Sequence, residues 1–223
     1  MPKDKKTKEL LLKCATEEFI EKGYKDASLR NICRRAGLTT GAMYFFFDGK
    51  EDIFNAVVDE PVNALMSYIT NHFELEKEEM QKAAYQAKLS GADLKSFIGI
   101  TEELSPEDIS SSNEIIKILY SNRELVNLIV YNSAGTKYER MIDEVVEIVE
   151  KHYRYLADGI CKVRGIPRID KFSIHWIAHE QIDIFLYLLG HVESEKEALK
   201  LSDKIVKILY SSWIGLFKEG FVN

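Results

Sequence analysis

The chain has 223 residues, 46% of them apolar and 30% charged, with a formal net charge of −6. That length allows one large domain or a small one beside a larger one, and the apolar share excludes a disordered chain. No run approaches the ~18 apolar residues of a membrane span, and the basic start MPKDKKTKELLLK lacks a signal peptide's apolar core, so the expected location is cytoplasmic, with no membrane partner.

Leu11, Leu12, Ala15 and Phe19 put an apolar stripe on a first helix that ends at Gly23, and Asp26 and Ser28 are both suited to cap the second. Leu29, Ile32, Cys33 and Ala36 fall on one face of that short second helix, and Gly37 stands where it stops. Thr39 or Thr40 caps a third helix that carries Gly41, Ala42, Met43 and Tyr44 and runs into Phe47. Two short helices joined by a glycine turn make a helix-turn-helix, whose second helix is shaped for the major groove of DNA. Asp48 with Glu51 has capping-box spacing, and the pattern Ile53, Phe54, Val57, Val58, Leu65, Ile69, Phe73 carries a fourth helix to about residue 74. Pro61 lies inside it, where proline kinks or splits a helix.

A charged helix follows from Glu74 to Lys88, broken near Gly91, and Thr101 to Asn113 reads as a loop with Ser111 capping the helix beyond it. That helix reaches about Asn132 and stops at Gly135. Thr136 with Glu139 opens a helix from Lys137 to about Val163, ended by Gly165 and Pro167. Asp170 or Ser173 opens the next, which ends near Gly190, and Ser194 with Glu197 caps the last, ending before Gly220. No strand alternation or internal repeat occurs, so the fold expected is all-α, with about nine helices. It divides into a helix-turn-helix domain over residues 1–50 and a larger helical domain over 51–223.

Charge follows the same division. Residues 1–50 hold 11 Lys/Arg against 7 Asp/Glu, net +4, and residues 51–223 hold 19 against 29, net −10. A basic head on an acidic body suits a protein that meets phosphate at one end, and Arg30, Arg34 and Arg35 lie beyond the lysine-rich tail. Cys14, Cys33 and Cys161, odd in number and widely spaced, read as buried free thiols of a reducing compartment.

Leu11 to Val58 resembles the N-terminal DNA-binding domain of the TetR family of bacterial transcription regulators, on Leu11, Leu12, Ala15, Phe19, Gly23, Tyr24, Ile32, Ala36, Gly37, Gly41, Tyr44, Phe47 and Lys50. The resemblance implies a homodimer that binds a palindromic double-stranded DNA operator, acts as a repressor and is released by a small-molecule effector. It implies DNA contacts from Ser28 and Arg30 at the start of the second helix, from Thr39, Thr40, Gly41, Tyr44 and Phe45 on the exposed side of the third, and from Lys50. Thr40 stands where relatives often carry Lys or Arg, and Phe45 and Phe46 where they often carry His or Tyr, so readout is expected to lean on thymine methyls and Thr40 hydrogen bonds. Phe47 is expected in the core. Glu18 departs from the pattern, since the family usually has an apolar residue there; it is expected either to snorkel or to pair with a nearby Lys or Arg.

The last two helices are apolar over more than one core-facing stripe, which fits either packing on two sides within the chain or packing against a second copy. The resemblance favours the second copy, through Ile174, Ile177, Ile182, Phe185, Leu189, Ile205, Leu209, Trp213 and Leu216. Tyr68, Phe97, Tyr120, Tyr131, Tyr153 and Trp176 are candidates to line an effector cavity, although aromatics at helical spacing are more often core. No cofactor is expected. His175 and His179 have i, i+4 spacing, but Trp176 occupies the Glu place of HExxH, so no metal site is assigned. Nor is a nucleophile elbow, a CxxC pair or a dinucleotide fingerprint present, which sets aside the two competing classes unequally. An all-α enzyme lacks its catalytic constellation, and a helical interaction module without DNA specificity leaves the charge division unexplained.

Overall fold

A computed structural model describes residues 2–90 and 106–218. Among these residues every regular element is a helix: α1 (Pro2–Asp26), α2 (Leu29–Arg35), α3 (Thr40–Met43), α4 (Lys50–Ser90), α5 (Pro106–Ser121), α6 (Arg123–Asn132), α7 (Met141–Arg164), α8 (Lys171–His191) and α9 (Glu195–Gly215). They pack as two compact units, Met1–Leu65 with Ser121–Met141, and Met66–Tyr120 with Ile142–Asn223. Residue 50 therefore marks where α4 begins rather than where packing divides. The first turns of α4 supply Ile53, Phe54, Val57 and Val58 to the core of the N-terminal unit.

In that unit Leu11, Ala15 and Phe19 of α1 are buried, and Phe19 and Tyr24 each meet Phe54 edge-on at 5.0 Å. Gly23, at φ 70° and ψ 171°, breaks α1 as expected, because that backbone conformation is open almost only to glycine. Glu18 is 1% exposed, and its carboxylate accepts from the Ser28 N–H at 3.2 Å and Asn31 Nδ2 at 3.3 Å, with Arg35 Nη2 at 3.4 Å. A charge at a core position is thus held by the first turn of α2, whose free N–H groups and dipole favour an anion. Ser28 is the N-cap residue by its backbone, while its side chain makes no cap hydrogen bond.

Several boundaries differ from those the spacing predicts. α4 runs unbroken through Pro61 to Ser90, so the charged segment after Phe73 is the same helix. The proline removes one N–H and leaves the flanking turns to carry the helix. At its start the Asp52 carboxylate, rather than Glu51, reaches back to the Asp48 N–H at 3.0 Å. The serine-rich stretch expected as loop is helical from Pro106, because a proline in the first turn loses no hydrogen bond and Glu107 and Asp108 suit the helix N-terminus. Asn122 interrupts the run expected to reach Asn132, dividing it into α5 and α6.

Gly135, at φ 86°, ends that run in a turn closed by Glu139, which accepts the Gly135 N–H at 3.0 Å, and by Thr136 Oγ1, which accepts the Tyr138 N–H at 3.1 Å. The turn delays α7 to Met141. Its Tyr138 hydroxyl donates to the Asp59 carboxylate on α4, which Lys137 Nζ also meets at 3.1 Å. Asp170 and Ser194 cap α8 and α9 with side-chain oxygens, at 2.9 Å from the Ser173 N–H and 3.3 Å from the Glu197 N–H.

The C-terminal unit gathers Ala157, Ile160, Cys161, Ile174, Ile177 and Leu216 into one core, with Tyr153 and Trp213 packed against it. The residues expected to meet a second copy differ in their burial within the single chain. Ile174, Ile177, Phe185, Leu189, Ile205 and Leu216 are buried within the chain itself, and Ile182, Leu209 and Trp213 are half-buried. The wide apolar coverage serves packing on more than one side. What α8 and α9 leave outward is Phe172, Trp176, Tyr187 and Ile208.

Candidate nucleic-acid interface

The turn between α2 and α3 is set by Gly37. At φ 67° it takes the left-handed conformation, the Leu38 N–H reaches the Cys33 carbonyl at 2.9 Å, and the Gly37 N–H reaches that of Arg34 at 3.2 Å. This double closure satisfies carbonyls at the end of α2 and turns the chain into α3. Thr39 then caps α3, its Oγ1 accepting the Ala42 N–H at 3.1 Å.

α3 itself is one α-turn. Beyond Met43 the chain tightens rather than stopping: Phe45 and Phe46 N–H groups reach back three residues, to Ala42 and Met43 carbonyls at 3.3 and 2.8 Å. The expected helix into Phe47 is therefore a short α-turn continued by tight turns. Met43 and Phe47, four residues apart, are buried and anchor this segment. Thr39, Thr40 and Gly41 are exposed on the other side, with Tyr44 at 55% and Phe45 at 79%. Phe46 is half-buried and stands edge-on to Phe45 at 5.1 Å, so it props its neighbour outward.

The cations divide. Arg30 and Arg34 are exposed, and Arg34 donates to Asn31 at 3.3 Å. Arg35 is turned inward, donating to both Glu21 oxygens at 3.1 and 2.7 Å; this pairing pushes the guanidinium up and the Glu21 carboxyl down. Sequence spacing missed that clamp, since its partners lie 14 and 17 positions away. Ser28 is half-buried at the head of α2. Lys50 donates to the Lys25 carbonyl at 2.8 Å and sits 4.8 Å over the Tyr24 ring; burial pushes its ammonium down, against the charges of Asp26 and Glu18. In these positions Thr39 to Phe45 share one exposed face, while Lys50 is fastened to the end of α1.

The aromatic candidates for the body do not converge as a set. Phe97 lies outside the described residues. Tyr131 belongs to the N-terminal unit and is exposed, and Trp176 is exposed on α8, so neither lines an enclosed cavity. In the C-terminal unit Tyr68 reaches the Ser111 carbonyl at 3.5 Å, and the Tyr120 hydroxyl lies 3.0 and 2.9 Å from the Leu188 and Val192 carbonyls at the end of α8. The half-buried Tyr153 donates to Gln181. His175 pairs with Glu150 at 2.8 Å and meets the His179 ring at 4.6 Å, and among the described residues no His, Cys, Asp or Glu trio is arranged to hold a metal. Cys14, Cys33 and Cys161 are free and buried, and no described helix is long and apolar enough to cross a membrane.

The family model described as bacterial regulatory proteins, tetR family, matches residues 11–57, the segment that carries α2, the glycine turn, α3 and the anchored Phe47. Over that segment the chain is similar to the TetR family. The uncharacterized HTH-type transcriptional regulator TtgW of Pseudomonas putida is 41% identical over 54 residues, 24% of this chain and 40% of that protein. The HTH-type transcriptional repressor BepR of Brucella suis biovar 1 is 40% identical over 52 residues, 23% of this chain and 25% of that protein. The chain thus spans less than half the length of these curated relatives. A solved structure from Syntrophomonas wolfei, described as a TetR-family transcriptional regulator, is similar in fold, with a TM-score of 0.57 at 18% identity, covering 97% of this chain and 100% of that one.

Proposed function

We propose that this protein is a TetR-family, ligand-responsive transcription regulator, not an enzyme, working in the cytoplasm as a homodimer on a palindromic DNA operator. The observation that carries the reading is the face of Thr39, Thr40, Gly41, Tyr44 and Phe45, held outward by buried Met43 and Phe47 inside the matched segment. Thr40 and Phe45 reach base edges, Phe45 against thymine methyls; Tyr44, Ser28 and Arg30 hold phosphates. Lys50 joins them by exchanging the Lys25 carbonyl for a phosphate oxygen. The functional domains run over 1–50 and 51–223, the second receiving the effector. Pairing of two copies uses the outward Phe172, Trp176, Tyr187 and Ile208 of the last two helices. The likeness to BepR, a transcriptional repressor, supports repression here. An effector releases DNA only by binding the DNA-incompetent state more tightly.

Selection of binding sites from randomised duplexes, followed by salt-dependent binding, tests this. The expected outcome is two inverted half-sites about one helical turn apart, with affinity falling steeply as salt rises. A monomer that enriches no sequence, and binds none at low salt, would end the reading.

A further inference from the structure

The interior of the C-terminal unit holds polar groups that its own packing leaves unanswered. His152 of α7 is 2% exposed, with Phe73 of α4 stacked flat on its ring at 3.9 Å. Its Nε2 lies 2.6 Å from Glu76 Oε2, which places the proton on that nitrogen and leaves Nδ1 as an acceptor. Nδ1, on the ring edge away from Glu76, is buried and has no hydrogen-bond partner among the described residues. Two more buried acceptors in the same unit are unpaired among those residues, Glu180 Oε2 on α8 and Asn113 Oδ1 on α5. Buried polar atoms without partners are few in folded proteins and costly to keep.

All three unpaired atoms are acceptors, so what answers them is a donor, and Tyr153, next in the chain, lies close by. Its hydroxyl donates to Gln181 and its ring lies 4.9 Å from Trp213. Burial pushes its ionisation far above the ordinary range, and the charges of Glu76, Asp108 and Glu180 add to that push. Glu76, Asp108 and Glu180, from α4, α5 and α8, are the acidic groups of this unit that bear on the half-buried phenol. A ligand that is itself an anion would be repelled there. The complementary chemistry is a positive charge, N–H donors and an apolar frame.

We propose that the C-terminal unit takes a protonated amine on an apolar frame, with Glu180 as its counter-charge and His152 Nδ1 accepting one of its N–H bonds. The inference rests on the reading of this unit as the effector domain, and it names the effector's class. In the full-length protein, tryptophan fluorescence is titrated with n-decylammonium, n-decyltrimethylammonium, n-decanol and n-decanoate, which share one chain length. The ammonium is expected to bind about tenfold or more tighter than the alcohol or the carboxylate, as for a hydrogen bond to a charged group. The trimethylated cation, which keeps the charge and loses the donors, falls between. Glu180→Gln should remove about tenfold of that preference while leaving decanol binding unchanged. His152→Phe, which keeps the stack on Phe73, should narrow the gap between the two cations. Decanoate or decanol binding as tightly as decylammonium, or no probe binding, overturns the proposal, and the wild-type ranking needs no variant to fold. Release of the selected operator is measured in parallel. Release without the predicted ranking removes only the ligand class, and the ranking without release removes the regulator reading while the site stands.

Discussion

Gly41→Ala separates what the DNA-reading segment needs for itself from what it needs against DNA. Gly41 is the second residue of α3, exposed and outside the left-handed region. A Cβ built there meets nothing closer than Thr39 Oγ1 at 3.9 Å, an ordinary contact. The free protein therefore has room for alanine. Reducing the freedom of the unfolded chain at such a site stabilises by about 0.4–1 kcal/mol, and in a chain of this size 1 kcal/mol raises Tm by roughly 2–4 °C. On DNA the same methyl holds the segment away from base edges, and a lost base contact costs about 1–3 kcal/mol, about tenfold to a hundredfold in Kd. Thermal melts of the free protein, and fluorescence anisotropy on the selected operator at fixed salt, read the two effects separately. The expected pattern is equal or higher Tm, weaker specific binding and an unchanged salt slope, because phosphate contacts remain. Unchanged Kd would refute the close-approach reasoning. A lowered Tm would show that the glycine serves the fold.

Phe45→Ala should leave stability within about 0.5 kcal/mol, since the side chain is 79% exposed, and should relax preference for A·T pairs in a repeated selection. Gly23→Ala should destabilise by about 1–3 kcal/mol in urea melts, more than Gly37→Ala. At Gly23 the new Cβ lies 3.1 Å from Asn132 Cβ besides needing a positive φ, whereas nothing lies within 4 Å at Gly37. Trp176→Glu should yield a folded monomer by light scattering, while Ile205→Ala should lose about 2–5 kcal/mol of stability through a cavity and still associate. For Asp59, burial raises the carboxyl but the hydrogen bonds from Tyr138 and Lys137 outweigh it, so the folded group titrates below the ordinary range. A depressed carboxyl contributes stability above its unfolded value, near pH 4, and loses it as pH falls through the folded value. The stability gap between wild type and Asp59→Asn should therefore be constant from neutral pH down to about 5 and shrink below about 4 in urea melts.

The head was legible because its signals are local. Gly37 and Thr39 specify a turn and a cap within a few residues, and Met43 with Phe47 specify an anchored face by spacing alone. Glu18 was legible only as a carboxylate that either snorkels or pairs with a cation; its partners Ser28, Asn31 and Arg35 come from the region of the next helix, which spacing does not reveal. The polar residues at Ser110–Ser112 misled for the opposite reason. Their composition reads as loop, yet Pro106, Glu107 and Asp108 start a helix upstream, and Ser112 is buried against Ser202 at 3.4 Å, where composition gives no hint of a partner 90 positions away.

The last two helices mark the limit most clearly. Periodicity reports that a helix has apolar faces; it does not report which neighbour covers each one. Ile205 and Ile208 are indistinguishable by that measure, three positions apart on one apolar helix, yet the first is buried and the second is 54% exposed. The same ambiguity separates Ile177 from Trp176, adjacent in the chain and opposite in exposure. Only the neighbours decide, because burial is the sum of what several helices remove from water. The pairing surface proposed above is drawn from what intrachain packing leaves over, Phe172, Trp176, Tyr187 and Ile208, rather than from the residues the resemblance favours. If Trp176→Glu stayed dimeric while Ile205→Ala dissociated without unfolding, that ordering of packing before pairing would be reversed.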